Sequence, residues 1–198
     1  MFVVAVVVVT LVALGYYYTA GQDQSAGTVT VAVRGYLSQE QKRALAAQFT
    51  GYAPEERTET ELRVFEFPAS ENAGGQETSK LLTSLLAELQ SGPSDLYLLD
   101  GYVWALIGNE TLFEDLSARY PGDPALVDGY RYAVAGKPFV NASGLEELPE
   151  LFLALRSSAT GAVNKNAATL AEYELQAELL DNIAGSTPPE DFAAQTLE

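Results

Sequence analysis

The chain has 198 residues, 47% of them hydrophobic and 19% charged, which is enough apolar material to close one core and more than a disordered polymer carries. Eleven Lys and Arg stand against 27 Asp and Glu, and the resulting formal charge of −16 repels a phosphate backbone, so nucleic acid is excluded as an expected partner. Neither Cys nor His is present, which excludes disulfides, thiol nucleophiles, the usual zinc ligand sets and imidazole proton transfer.

Residues 1–18 read MFVVAVVVVTLVALGYYY without a charged side chain. As a helix rising about 1.5 Å per residue they would cover roughly 27 Å, close to a hydrocarbon core, with Tyr16, Tyr17 and Tyr18 at headgroup level. The expectation is a transmembrane anchor over residues 1–19, a polar linker over 20–27 and a disordered acidic tail over 185–198, where Pro188 and Pro189 fall. A cleavable signal peptide is the competing reading. The apolar run is long for one, no basic residue precedes it, and Thr19-Ala20-Gly21 is a poor cleavage site.

Beyond the linker, residues 28–33 alternate β-branched side chains and run into Arg34-Gly35-Tyr36, a strand ending in a turn. Ser38 and Gln41 form a capping-box pattern, and Ala44, Leu45, Ala46 and Phe49 give the following helix an apolar face up to Gly51. Residues 62–67 restore the strand pattern and stop at Pro68. After a Gly, Ser and Asn loop over 69–75, Leu81, Leu82, Leu85, Leu86 and Leu89 recur at helical spacing until Gly92-Pro93. Residues 95–100 are a nearly all-apolar run, as expected of a strand buried on both faces, and they complete a β-α-β-α-β series. Short helical pieces are expected over 102–107 and 112–120, a loop over 121–124 and a fourth strand over 131–134. Residues 148–155 fit a strand better than a helix because of Phe152 and Leu153. A last helix over 166–184 carries Leu170, Tyr173, Ala177, Leu180 and Ala184 on one stripe.

The chain lacks the glycine-rich nucleotide loops, the G-x-S-x-G elbow and H-E-x-x-H. Asp95 and Asp100, five positions apart on a strand, point to opposite faces and cannot make a facing acid and base pair. No calcium-loop spacing is present. The expected chain is therefore not an enzyme and uses no metal or cofactor. In open α/β sheets, ligands lie beyond the carboxyl ends of the strands. Here those ends present Gly35 and Tyr36, then Phe67 and Ser70, then Asp100, Gly101, Tyr102 and Trp104. Trp104, the only Trp, suits stacking on a sugar or other flat ligand together with Tyr36 and Tyr102. The alternative is that these rings pack the domain's own core.

The run Glu77-Thr78-Ser79-Lys80, the apolar helix to Gln90-Ser91-Gly92, the segment Pro93-Ser94-Asp95-Leu96-Tyr97-Leu98-Leu99-Asp100 and Leu112-Phe113-Glu114-Asp115-Leu116-Ser117 resemble the first lobe of bacterial extracellular solute-binding proteins of ABC importers. The resemblance covers residues 29–120. It implies a periplasmic-binding-protein-like α/β lobe over 28–184, a mostly parallel sheet with flanking helices plus the N-terminal transmembrane helix, facing the outside of the cell membrane. It puts Tyr36, Asp100, Tyr102 and Trp104 beside a ligand cleft, with a small-molecule solute and an ABC permease or another envelope protein as partners. Family members are roughly twice this length and close two lobes on the ligand, whereas this chain has room for one. A degenerate lobe serving as a structural or protein-interaction module of an envelope complex is the second expectation.

Overall fold

The computed structural model describes residues 26–69, 75–148, 150–160 and 162–185. The anchor expected over 1–19, most of the linker, and the tail beyond Gly185 lie outside the described residues. Among those described, no helix is long and apolar enough to cross a membrane.

The expected β-α-β-α-β series is present. β1 (Ala26–Arg34) leads through α1 (Gln39–Tyr52) to β2 (Glu59–Phe67), and α2 (Gly75–Ser91) then returns the chain to β3 (Leu96–Leu99). The capping box forms as the sequence requires: Ser38 Oγ accepts from the Gln41 N–H at 3.1 Å, and the Gln41 side chain accepts from the Ser38 N–H at 2.9 Å. α3 (Gly101–Ile107) follows, then two single 3-10 turns, Glu110–Leu112 and Leu116–Ala118, in place of the one short helical piece expected over 112–120. Asn109 and Asp115 each turn a side chain onto the N–H two residues ahead and so favour short turns over a continuous helix. β4 (Leu126–Val127), β5 (Arg131–Ala133), α4 (Pro138–Ala142), β6 (Phe152–Leu155) and α5 (Ala167–Gly185) complete the domain. β4 and α4, two and five residues long, are below the length at which hydrophobic period is visible.

The six strands form one sheet in the order β2-β1-β3-β6-β5-β4. β1 pairs parallel with β2 and with β3, whereas β6 pairs antiparallel with both β3 and β5, and β4 antiparallel with β5. The architecture is thus α/β, but the sheet is mixed: the expected parallel pairing holds for the first three strands only. β6 is entered without a crossover helix that would bring the chain back to the same end, so it runs the other way.

Alternation along the strands sorts the side chains between two cores. Val29, Val31 and Val33 of β1, Leu96 and Leu98 of β3, and Leu153 and Leu155 of β6 face one side, where α1, α4 and α5 cover them. Phe139 of α4 meets Phe49 of α1 edge-on at 4.9 Å and Tyr52 at 6.0 Å. Ala32, Phe67, Tyr97, Leu99, Phe152 and Ala154 face the other side, under α2 and α3. The crossover from β1 to β2 and the one from β2 back past β1 to β3 run in opposite directions along the sheet, and sharing one hand they place α1 and α2 on opposite faces. In α5 the buried stripe is Tyr173, Gln176, Ala177, Leu180 and Ile183, while Leu170 in the first turn overhangs and is 44% exposed, contrary to the expected stripe.

Candidate functional site

In an open α/β sheet, strand order indicates where a crevice is to be sought. The chain leaving β1 turns to α1 on one face and the chain leaving β3 turns to α3 on the other, so the two connections diverge beyond adjacent strand ends. Arg34, Gly35 and Tyr36 border this point on one side; Asp100, Gly101 and Tyr102 border it on the other. Gly35 has φ +108°, a backbone state that side chains rarely allow, and its N–H donates to the Phe67 carbonyl at 2.8 Å. The turn therefore leaves the sheet sharply, and Tyr36 projects from it with 72% of its surface exposed.

Asp100 stands where the sequence put it, but its carboxylate is engaged by backbone. Oδ1 accepts from the Val103 N–H at 2.8 Å and so caps α3, while Oδ2 accepts from the Arg34 N–H at 2.5 Å. With only 4% of its surface exposed, Asp100 is a clasp that holds the ends of β1 and β3 together. Trp104, half-buried one turn into α3, is packed against Phe113 at 4.8 Å and against the edge of Phe152 at 5.5 Å. The Arg131 guanidinium stands 5.3 Å from its ring centre, itself held by Asp128 through Nε at 2.8 Å and Nη2 at 2.5 Å. Trp104 thus follows the core-packing alternative, and of the four residues singled out from sequence only Tyr36 and Tyr102 offer ring surface at the crevice.

Two cations join them that sequence reasoning did not single out. The Arg34 guanidinium lies 4.5 Å from the Tyr102 ring centre and donates from Nη2 to the Ala69 carbonyl at 2.8 Å. Lys42 lies 5.0 Å from the Tyr36 ring centre and pairs with Glu66 at 2.9 Å, whose Oε1 also accepts from the Leu37 N–H at 2.7 Å. The available signal was Arg34's place as the last residue of a strand directly before a turn glycine. Glu150 completes the surroundings. It holds φ +52°, and its Oε2 lies 2.2 Å from where a Cβ on Gly101 would stand, so Gly101 is the residue that lets this carboxylate lie over the start of α3.

The opposite edge of the sheet is closed. Arg156, 2% exposed, forks through Nε and Nη2 onto Asp95 Oδ1 and gives Nη1 to the Gly92 carbonyl at 3.0 Å. Gln176 Oε1 accepts from the Asp95 and Leu96 N–H groups at 2.8 and 2.7 Å, and Thr30 donates to Ser94 at 2.8 Å. Burial raises the Asp95 carboxyl above its ordinary range against the pull of Arg156, and it drives the Tyr97 phenol far upward. Asp95 and Asp100 stand at opposite ends of the four-residue β3, each with its own partners, which leaves no facing acid and base pair. Among the described residues, no group of three or more Asp or Glu side chains is arranged to hold a metal ion.

No protein-family model, curated protein or solved structure matches the chain. Its chemistry is read from its own geometry: an open edge with rings and cations, and a closed edge in which buried polar groups satisfy one another.

Proposed function

We propose that the chain is a membrane-tethered, extracytoplasmic, non-catalytic binding lobe of the solute-binding kind, which takes its ligand at the carboxyl edge of the sheet. The observation that carries this reading is the divergence of the chain beyond the adjacent ends of β1 and β3, the position where open α/β sheets take ligands, bordered by the exposed Tyr36 and by the Arg34–Tyr102 stack. The ligand is a small solute and the downstream partner an ABC permease or another envelope protein.

A second reading draws on the commitment of Asp100 to backbone and of Trp104 to the core. With those two groups engaged, the edge is a shallow platform, which favours an interaction module that seats another envelope protein. A thermal-shift screen separates the two. The full chain in detergent micelles is heated with sugars, amino acids, short peptides and carboxylic acids, because a ligand that binds only the native state raises its melting temperature. A saturable shift lost in Tyr36→Ser supports the solute reading. A shift indifferent to Tyr36 and Tyr102 overturns the placement at this edge, and silence across the panel transfers the edge to a protein partner.

A further inference from the structure

Among the described residues, the arginines fall into a pattern. Arg57, Arg63, Arg119, Arg131 and Arg156 each stand within ion-pair distance of a carboxylate. That is the natural outcome in a chain with 27 acids and 11 bases. Among the described residues neither Arg34 nor Arg43 has such a carboxylate; Arg43 is exposed on α1, whereas Arg34 is half-buried and its guanidinium contacts a neutral carbonyl and a neutral ring. Asp100 takes the backbone N–H of Arg34 and that of Val103, so its two oxygens are engaged by backbone and not by the guanidinium. Stacking on Tyr102 fixes the plane of the fork without neutralising it, and the Ala69 carbonyl engages one nitrogen. A guanidinium pre-oriented in this way, with N–H groups left over, matches the two oxygens of a carboxylate or phosphate.

We infer that the Arg34–Tyr102 stack is an anion-recognition site that receives a carboxylate or phosphate group of the ligand on the remaining N–H groups of Arg34. This rests on reading the carboxyl edge as the binding face and names the chemistry of what binds there. Glu150, lying over Gly101 beside Tyr102, opposes it by like-charge repulsion with the ligand. It therefore sets selectivity against densely charged anions, and Glu150→Gln should tighten anion binding severalfold.

The test uses the full chain in detergent micelles at constant ionic strength, with sodium acetate in one arm and inorganic phosphate in the other. Thermal stability is followed for the native chain, Arg34→Gln and the control Arg43→Gln, since Arg43 is exposed on α1. The expected result is a saturable upward shift with at least one anion, at least tenfold weaker in Arg34→Gln and unchanged in Arg43→Gln; the arm that responds assigns carboxylate or phosphate. General salting effects do not saturate and are shared by all three proteins. Phenylglyoxal labelling of the native chain, mapped by mass spectrometry, needs no variant: the responding anion should protect Arg34 and leave Arg43 reactive. An equal saturable response in Arg34→Gln, or no protection of Arg34 by either anion, overturns the inference. A neutral solute that stabilises the native chain and Arg34→Gln alike, and loses its effect in Tyr36→Ser, would overturn the anion chemistry while leaving the binding face in place.

Discussion

The two ends of β3 treat charge in opposite ways. At the amino end, Asp95 and Arg156 are almost wholly removed from solvent, and the fork, three carbonyls and Gln176 satisfy the polar atoms around them. At the carboxyl end, one acid is folded into the backbone as a clasp and the neighbouring guanidinium is left facing a ring. The first arrangement locks an edge, because among the described residues none of the buried side-chain polar atoms at this end lacks a partner. The second leaves, among the described residues, donor capacity unused beside exposed aromatic surface. Buried charges are thus not by themselves signs of function: the more deeply buried pair is the more structural one.

The largest expected effect comes from breaking the lock. Asp95→Ala leaves the Arg156 guanidinium buried without its counter-charge and should lower unfolding free energy by about 3–5 kcal/mol, a large share of what a domain this size has. Denaturant unfolding of the full chain measures it. The double substitution Asp95→Leu with Arg156→Met removes both charges and should recover most of the loss. Failure to recover would mean that the carbonyl contacts of Arg156, and not the ion pair, close this edge.

Asp100 comes next. As a cap it predicts that Asp100→Ala lowers stability by about 1–2 kcal/mol, while Asp100→Asn, which still accepts from the Val103 N–H, loses less. Unchanged stability in Asp100→Ala, together with lost ligand binding, would return this residue to the contact role expected from the sequence and would erase the distinction between clasp and site.

The first half of the chain was legible because its elements are long and their signals local. The β-branched alternation of β1, the Ser38–Gln41 box and the leucine spacing of α2 each act within a few residues. The antiparallel insertion of β6 beside β3 was not legible, since pairing Leu96 with Leu155 depends on contacts across 59 positions and leaves no local mark. The same reason divides the site. Tyr36, Asp100 and Tyr102 could be placed at the strand ends because those ends can be read from the pattern. The role of Arg34 depends on Tyr102, 68 positions away, and the packing of Trp104 depends on Phe152, 48 away. Only the folded chain brings these pairs together.

The smallest expected effect on stability is at Tyr36, and there a small number is the informative result. The ring is 72% exposed, and among the described residues its aromatic contact is with Lys42, which also pairs with Glu66 independently of the ring. An exposed cation–π contact contributes about 0.5–1 kcal/mol, and removing the exposed ring offsets part of that by relieving apolar surface. Tyr36→Ser should therefore change unfolding free energy by no more than about 0.5 kcal/mol in the same denaturant experiment. It should nevertheless abolish the ligand response of the thermal-shift screen. A loss above about 1 kcal/mol would show that the turn after β1 depends on this ring. Tyr36 would then belong with Asp95 and Asp100 among the groups that hold the sheet together, and the carboxyl edge would no longer differ in kind from the amino edge.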